Sequence, residues 1–159
     1  MLTANEILKE YTNCILDPIY TIETYFKTFD RTNNGFVPFH LFEKQKDIVR
    51  AYEEHRFNLV AKPRQAGVST TTAAYLGVKV AFADKDNPKD ALRGYTPTYL
   101  IMDEAAFIED GKELFGAALT ALGTGGYATL ISTPNGQDPL YYETYDLAIK
   151  KENNFNVIE

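Results

Sequence analysis

The sequence predicts an α/β protein built on a largely parallel sheet, and three observations carry that reading. Short apolar runs at Phe57-Asn58-Leu59-Val60-Ala61, Tyr99-Leu100-Ile101-Met102 and Tyr127 to Ile131 have the length and composition of buried strands. Segments with helical spacing of apolar residues lie between and around them. Each run ends in polar or charged residues: Lys62, Asp103-Glu104 and Ser132-Thr133. With 159 residues, 45% of them hydrophobic and 24% charged, the chain is long enough to bury a core and too apolar for disorder.

Composition excludes several classes. No run approaches the roughly 18 apolar residues of a membrane-spanning helix, and the N-terminus lacks the basic-then-apolar order of a signal peptide. One cysteine, Cys14, and two histidines, His40 and His55, supply neither an internal disulfide nor a cysteine–histidine metal centre. A net charge of −6 argues against a dedicated nucleic-acid clamp. A soluble, intracellular, single-domain protein is expected.

In chain order, Thr3-Ala4-Asn5-Glu6 fits a capping box ahead of Ile7, Leu8 and Tyr11. A stripe at Ile19, Ile22, Tyr25, Phe26 and Phe29 continues the helical spacing, so residues 1–33 read as irregularly helical. Asp30 to Gly35 reads as a turn, and Phe36 to Phe39, broken by Pro38, as a loop rather than a strand. Leu41, Gln45, Ile48, Val49 and Tyr52 share one face of a helix of roughly three turns. After the first strand, Ala73 to Ala83 reads as a helix and Asp84 to Lys89 as a loop. Leu140 to Lys151 reads as a last helix bearing Tyr141, Tyr142 and Tyr145. The expected organisation is a helical N-terminal segment, 1–55, and a core, 56–159.

The turn after the first strand is Lys62-Pro63-Arg64-Gln65-Ala66-Gly67-Val68-Ser69-Thr70. Loops joining a buried strand to a helix bind phosphate, because free N–H groups and the helix dipole point there. The standard phosphate-loop pattern is G-x-x-x-x-G-K-[ST]. Here Lys62 stands at the first glycine and Val68 at the lysine, while Gly67 and Ser69 stay in place. The charge has moved to the other end of the loop, from which a long lysine can curl back to the β- and γ-phosphates. Arg64 is a second cation in the turn, and Ser69 is placed to ligate Mg²⁺. The competing reading is a plain βα turn with surface cations.

At Asp103-Glu104, four apolar residues run into two acids. Such a pair can hold Mg²⁺ through the first acid and activate water through the second, although solvated acids at a strand end are common. Ser132 and Thr133 end the third strand, where small hydroxyls can reach a γ-phosphate or simply close a turn. Gln45 can pair with an adenine edge, and Arg93 is either a γ-phosphate sensor or part of a surface turn. Gly123 to Gly126 precedes a strand rather than following one, so it is not a dinucleotide loop.

Together these motifs resemble the ATPase domain of the large terminase subunit of tailed bacteriophages, the DNA-packaging motor. The resemblance rests on Phe42-Glu43-Lys44-Gln45, on Lys62 to Thr70, on Leu100 to Phe107 and on Ile131-Ser132-Thr133-Pro134-Asn135-Gly136, in that order over roughly residues 40–145. It implies a P-loop NTPase core of the RecA/ASCE type, a mostly parallel sheet flanked by helices. It implies ATP and Mg²⁺ as cofactors, Gln45 and residues 62–70 around the nucleotide, and Ser69 and Asp103 on the metal. Lys62, Arg64 and Glu104 become catalytic, and Ser132-Thr133 couples hydrolysis to movement. Implied partners are double-stranded viral DNA, the portal protein, the small terminase subunit and further copies of the chain on the portal. The implied location is the host cytoplasm, with no membrane involved. Alternatives are a catalytically silent remnant acting through protein contacts, or a piece of another nucleic-acid ATPase such as a helicase.

Two features depart from that family. The interval from Ser69 to Asp103 is several tens of residues shorter than usual, as though a segment had been cut out, and the family's C-terminal nuclease domain is expected to be absent. The resemblance places the third strand between the first two, so the motifs still converge. Asp84 to Thr98, roughly 15 residues able to span about 50 Å, can close the gap. The expected cost is an uncovered sheet edge along Leu100 to Met102.

Overall fold

The computed structural model describes residues 3–30, 32, 34–82, 97–122 and 124–159. The chain divides into two compact units, Met1–Val49 with Thr70–Asp84 and Arg50–Ser69 with Lys85–Glu159.

In the first unit, helix α1 (Ala4–Leu16) starts with the expected capping box. Thr3 N–H donates to the Glu6 carboxylate at 2.7 Å, and Glu6 N–H donates to Thr3 Oγ1 at 3.3 Å. Asp17 and Pro18 then restart the chain as α2 (Pro18–Tyr25). The Asp17 carboxylate accepts from Tyr20 N–H at 3.0 Å, and Pro18 occupies a first-turn position where its missing N–H costs nothing. An antiparallel hairpin follows, β1 (Lys27–Asp30) and β2 (Gly35–Pro38). This corrects two expectations: Phe29 is on a strand rather than in the helical stripe, and Phe36 to Pro38 form a strand rather than a loop. The Phe29 and Phe36 rings pack edge to face at 5.6 Å across the pair, and Pro38 is tolerated at the end of an edge strand. Helix α3 (Glu43–Glu54) comes next.

The second unit holds a sheet of four parallel strands: β3 (Phe57–Ala61), β4 (Tyr99–Asp103), β5 (Tyr127–Ser132) and β6 (Asn156–Ile158). Their order is β4-β5-β3-β6. The third strand of the sequence reading, β5, therefore lies between the first two, as expected. Leu59 and Met102 both stand opposite Leu130, and Ala61 stands opposite Ser132. Leu59, Ala128 and Leu130 are fully buried and join Met102, Ala105, Phe115 and Tyr141 in one apolar cluster. Each large aliphatic side chain there stabilises the fold by about 1.5–3 kcal/mol.

Helix α4 (Val68–Ala81) begins five residues before the expected Ala73, despite a Ser-Thr-rich first turn. A 3-10 turn (Ala105–Phe107), α5 (Gly111–Ala121) and α6 (Tyr141–Ile149) complete the described elements. No described helix is long and apolar enough to cross a membrane.

Candidate active site

Four parallel strands put their carboxyl ends on one edge of the sheet, the edge where open α/β sheets bind ligands. At the end of β3 the chain passes into Lys62, whose N–H donates to the Ser132 carbonyl at 3.0 Å. The Lys62 side chain, only 8% exposed, reaches across β5 toward the end of β4. Its Nζ lies 2.6 Å from Asp103 Oδ1, 3.1 Å from Glu104 Oε1 and 3.3 Å from Ser69 Oγ. Ser69, in the first turn of α4, donates a short hydrogen bond to Asp103 Oδ2. The structure thus brings together Lys62, Ser69, Asp103 and Glu104.

Backbone geometry fixes the acids. Glu104 adopts a left-handed conformation (φ 55°), and its N–H donates to Asp103 Oδ1 at 2.9 Å. That turn leaves the Glu104 side chain 54% exposed beside the buried ammonium. A non-glycine residue in this region is uncommon and strained.

Burial alone would lower the Lys62 pKa, but hydrogen bonds and charge from Asp103 and Glu104 outweigh it and hold the ammonium above lysine's usual range. Burial likewise favours a protonated Asp103. Hydrogen bonds from Lys62 and Ser69 overcome that and keep its carboxyl below the usual range.

Pro63, Arg64 and Gln65 form an exposed turn, with Gln65 (φ 63°) and Gly67 (φ 70°) both left-handed. Ala66 and Gly67 are half-buried, and Thr70 is exposed. Val68 is buried, so the position that carries lysine in the standard pattern is an apolar packing position here. Ser132 is fully buried and its hydroxyl is engaged by backbone, accepting from Ala106 N–H at 3.1 Å and donating to the Thr133 carbonyl at 2.9 Å. Gln45, also buried, accepts from Phe42 N–H at 3.0 Å through its amide oxygen and so closes the start of α3. It belongs to the first unit. Arg93 lies outside the described residues.

Two features went unread in the sequence. Asn135 donates to the Ala106 carbonyl at 3.0 Å, tying the loop after β5 to the 3-10 turn after the acids. A cavity of about 420 Å³ beside the end of β3 is lined by Ala61, Pro134, Tyr141, Tyr142, Tyr145 and Glu159, among others. The tyrosine spacing within one helix was its visible signal.

Comparison with protein-family models and with curated proteins gives no match.

The fit to a metal can be tested on the donors themselves. No group of three or more His, Cys, Asp or Glu side chains suited to a metal occurs among the described residues. Mg²⁺ does not need one: it is held by one or two carboxylates together with phosphate and water oxygens. The touching Ser69 hydroxyl and Asp103 carboxylate are hard oxygen donors of that kind, and they fit.

Proposed function

We propose that this chain binds and hydrolyses ATP with Mg²⁺ at the carboxyl edge of its sheet, as the ATPase module of a DNA-packaging motor. The observation that supports this reading is the convergence of Lys62, Ser69, Asp103 and Glu104 from three chain segments onto one point at that edge. Surface charges on an ordinary βα turn do not require a buried lysine held by two acids. The packaging context rests on the motif resemblance, and with it come viral DNA, the portal, the small terminase subunit and further copies of the chain as partners.

The residues divide the work. Lys62 presents an ammonium with three donors, which a γ-phosphate would share with Asp103 and Glu104. The amides at the start of α4 cradle the phosphates. Ser69 and Asp103 would hold Mg²⁺, which when bound neutralises phosphate charge. Glu104 Oε accepts the proton of the attacking water as that water's oxygen bonds to the γ-phosphorus and the bond to the β–γ bridging oxygen breaks. Ser132 ties the strand ends together through Lys62 N–H and Ala106 N–H.

Isothermal titration of the protein with ATP and Mg²⁺ tests the reading. The expected result is saturable binding that Lys62→Ala weakens at least tenfold. Absence of binding by the folded wild-type protein would overturn it.

A further inference from the structure

Glu104 heads the 3-10 turn in the left-handed region, at φ 55° and ψ 39°, and its own side chain makes no capping bond to that turn. Non-glycine residues persist in this region only where their surroundings over-determine the backbone. Here the hold comes from the residues that follow. Phe107 N–H donates to the Glu104 carbonyl at 2.9 Å, closing the turn on the acid. Ala106, in the middle of the turn, is 5% exposed and is gripped through both of its backbone polar groups. Its N–H donates to Ser132 Oγ at 3.1 Å, and its carbonyl accepts from Asn135 Nδ2 at 3.0 Å. Both partners lie on the segment that ends β5 and leaves it.

The two grips differ in kind. Ser132 is fully buried and its carbonyl accepts from Lys62 N–H at 3.0 Å, so it belongs to the framework that joins β3 to β5. Asn135 is exposed and lies outside the sheet. Its neighbours fix where its amide stands. Pro134, just before it, has φ locked by its ring. Gly136, just after it, is left-handed at φ 63°, with open space where a Cβ would lie, and turns the chain away. The Asn135 amide thus donates to the turn that carries Glu104, two residues past the acid. The Glu104 side chain is 54% exposed, with Lys62 Nζ 3.1 Å from its Oε1. Packing gives such a side chain little direction, so its aim depends on the backbone beneath it.

We propose that Asn135 is a positioning residue for Glu104. Through the Ala106 carbonyl it keeps the 3-10 turn closed, and the closed turn keeps the Glu104 carboxylate aimed at the point it shares with Lys62. The consequence for catalysis rests on the hydrolytic reading of the Lys62 cluster, whereas the hold on the backbone does not. A general base must stand within hydrogen-bond reach of its water, and a misplacement of about 1 Å can cost on the order of 100-fold in rate. Loss of the Asn135 donor is therefore felt in the chemical step. Nucleotide binding, assigned to Lys62, Ser69 and the amides of α4, is left as it was.

Two measurements on wild type, Asn135→Ala and Asn135→Asp test this: amide hydrogen exchange by NMR, and steady-state turnover of Mg²⁺-ATP. Aspartate keeps the shape of asparagine and lacks its donor. In both variants the Phe107 N–H, which closes the turn on Glu104, is expected to exchange about tenfold faster, while the amides of β3 and β5 exchange as in wild type. In the same variants kcat is expected to fall about tenfold with KM unchanged. Added to Glu104→Gln, the Asn135→Ala change is expected to lower kcat no further, because residues that act through one group are not additive. Unchanged Phe107 exchange in both variants would overturn the proposal. So would an equal loss of kcat with and without Glu104, the mark of a merely structural residue. Faster Phe107 exchange in the variants of a protein whose wild type turns over no ATP would overturn the hydrolytic reading and leave the hold of Asn135 on the turn standing.

Discussion

Lys62 is held by two acids, and that pairing has a pH signature. Asp103 titrates below its ordinary 3.8 in the folded chain, so its contribution to stability is present above that value and is lost as pH falls through the lower folded pKa. Lys62 titrates above its ordinary 10.5, so its contribution is present below that value and is lost as pH rises through the higher folded pKa. Urea denaturation from pH 2 to 12 should show a plateau between about 4 and 10 with decline at each end. Lys62→Met should blunt both declines, and an unchanged profile would contradict the pairing. Tyr141 makes a separate case. Because its hydroxyl has no partner among the described residues, Tyr141→Phe should leave stability unchanged or raise it by up to about 1 kcal/mol, as read by the same denaturation. The lysine and the acids were legible because charges at strand ends stand out against apolar runs. Tyr141 was not, since nothing in a helical tyrosine pattern distinguishes a packed ring from one with an unpaired hydroxyl.

At the scale of elements, β3, β4 and β5 were legible to within a residue, because buried parallel strands are continuous apolar runs bounded by polar ends. The three residues of β6 are too few to leave a pattern, and α5 begins and continues with glycines, Gly111 and Gly116, that weaken any helical signal. The hairpin was hidden by Pro38, a strand breaker everywhere except at an edge. Helix α6 was anticipated, but its cap was not. Asp138 stands three residues ahead of its first turn and takes three N–H groups, at 3.1, 2.5 and 3.1 Å. Asp138→Ala should therefore cost about 1–2 kcal/mol, visible as a lower denaturation midpoint, and it should loosen the tyrosine cavity that α6 supports.

For the whole molecule, the order β4-β5-β3-β6 makes β5 the strand through which both halves of the site communicate. Leu130, fully buried at its centre, meets Leu59 on one side and Met102 on the other. Leu130→Ala should cost about 2–5 kcal/mol, a large share of the 5–15 kcal/mol typical of a domain, and should remove nucleotide binding together with the fold. The resemblance placed β5 between β3 and β4 but did not include β6, since strand order depends on long-range pairing that no local pattern encodes. Among the described residues β4 is an edge strand, as the shortened interval before it led one to expect. Lys62, Ser69, Asp103 and Glu104 are proposed to form a hydrolytic nucleotide site. Steady-state ATP turnover with Mg²⁺, wild type against Glu104→Gln, tests it most directly. Turnover that falls at least about 100-fold in the variant, with ATP binding retained, is the predicted result; equal turnover in both proteins would contradict it.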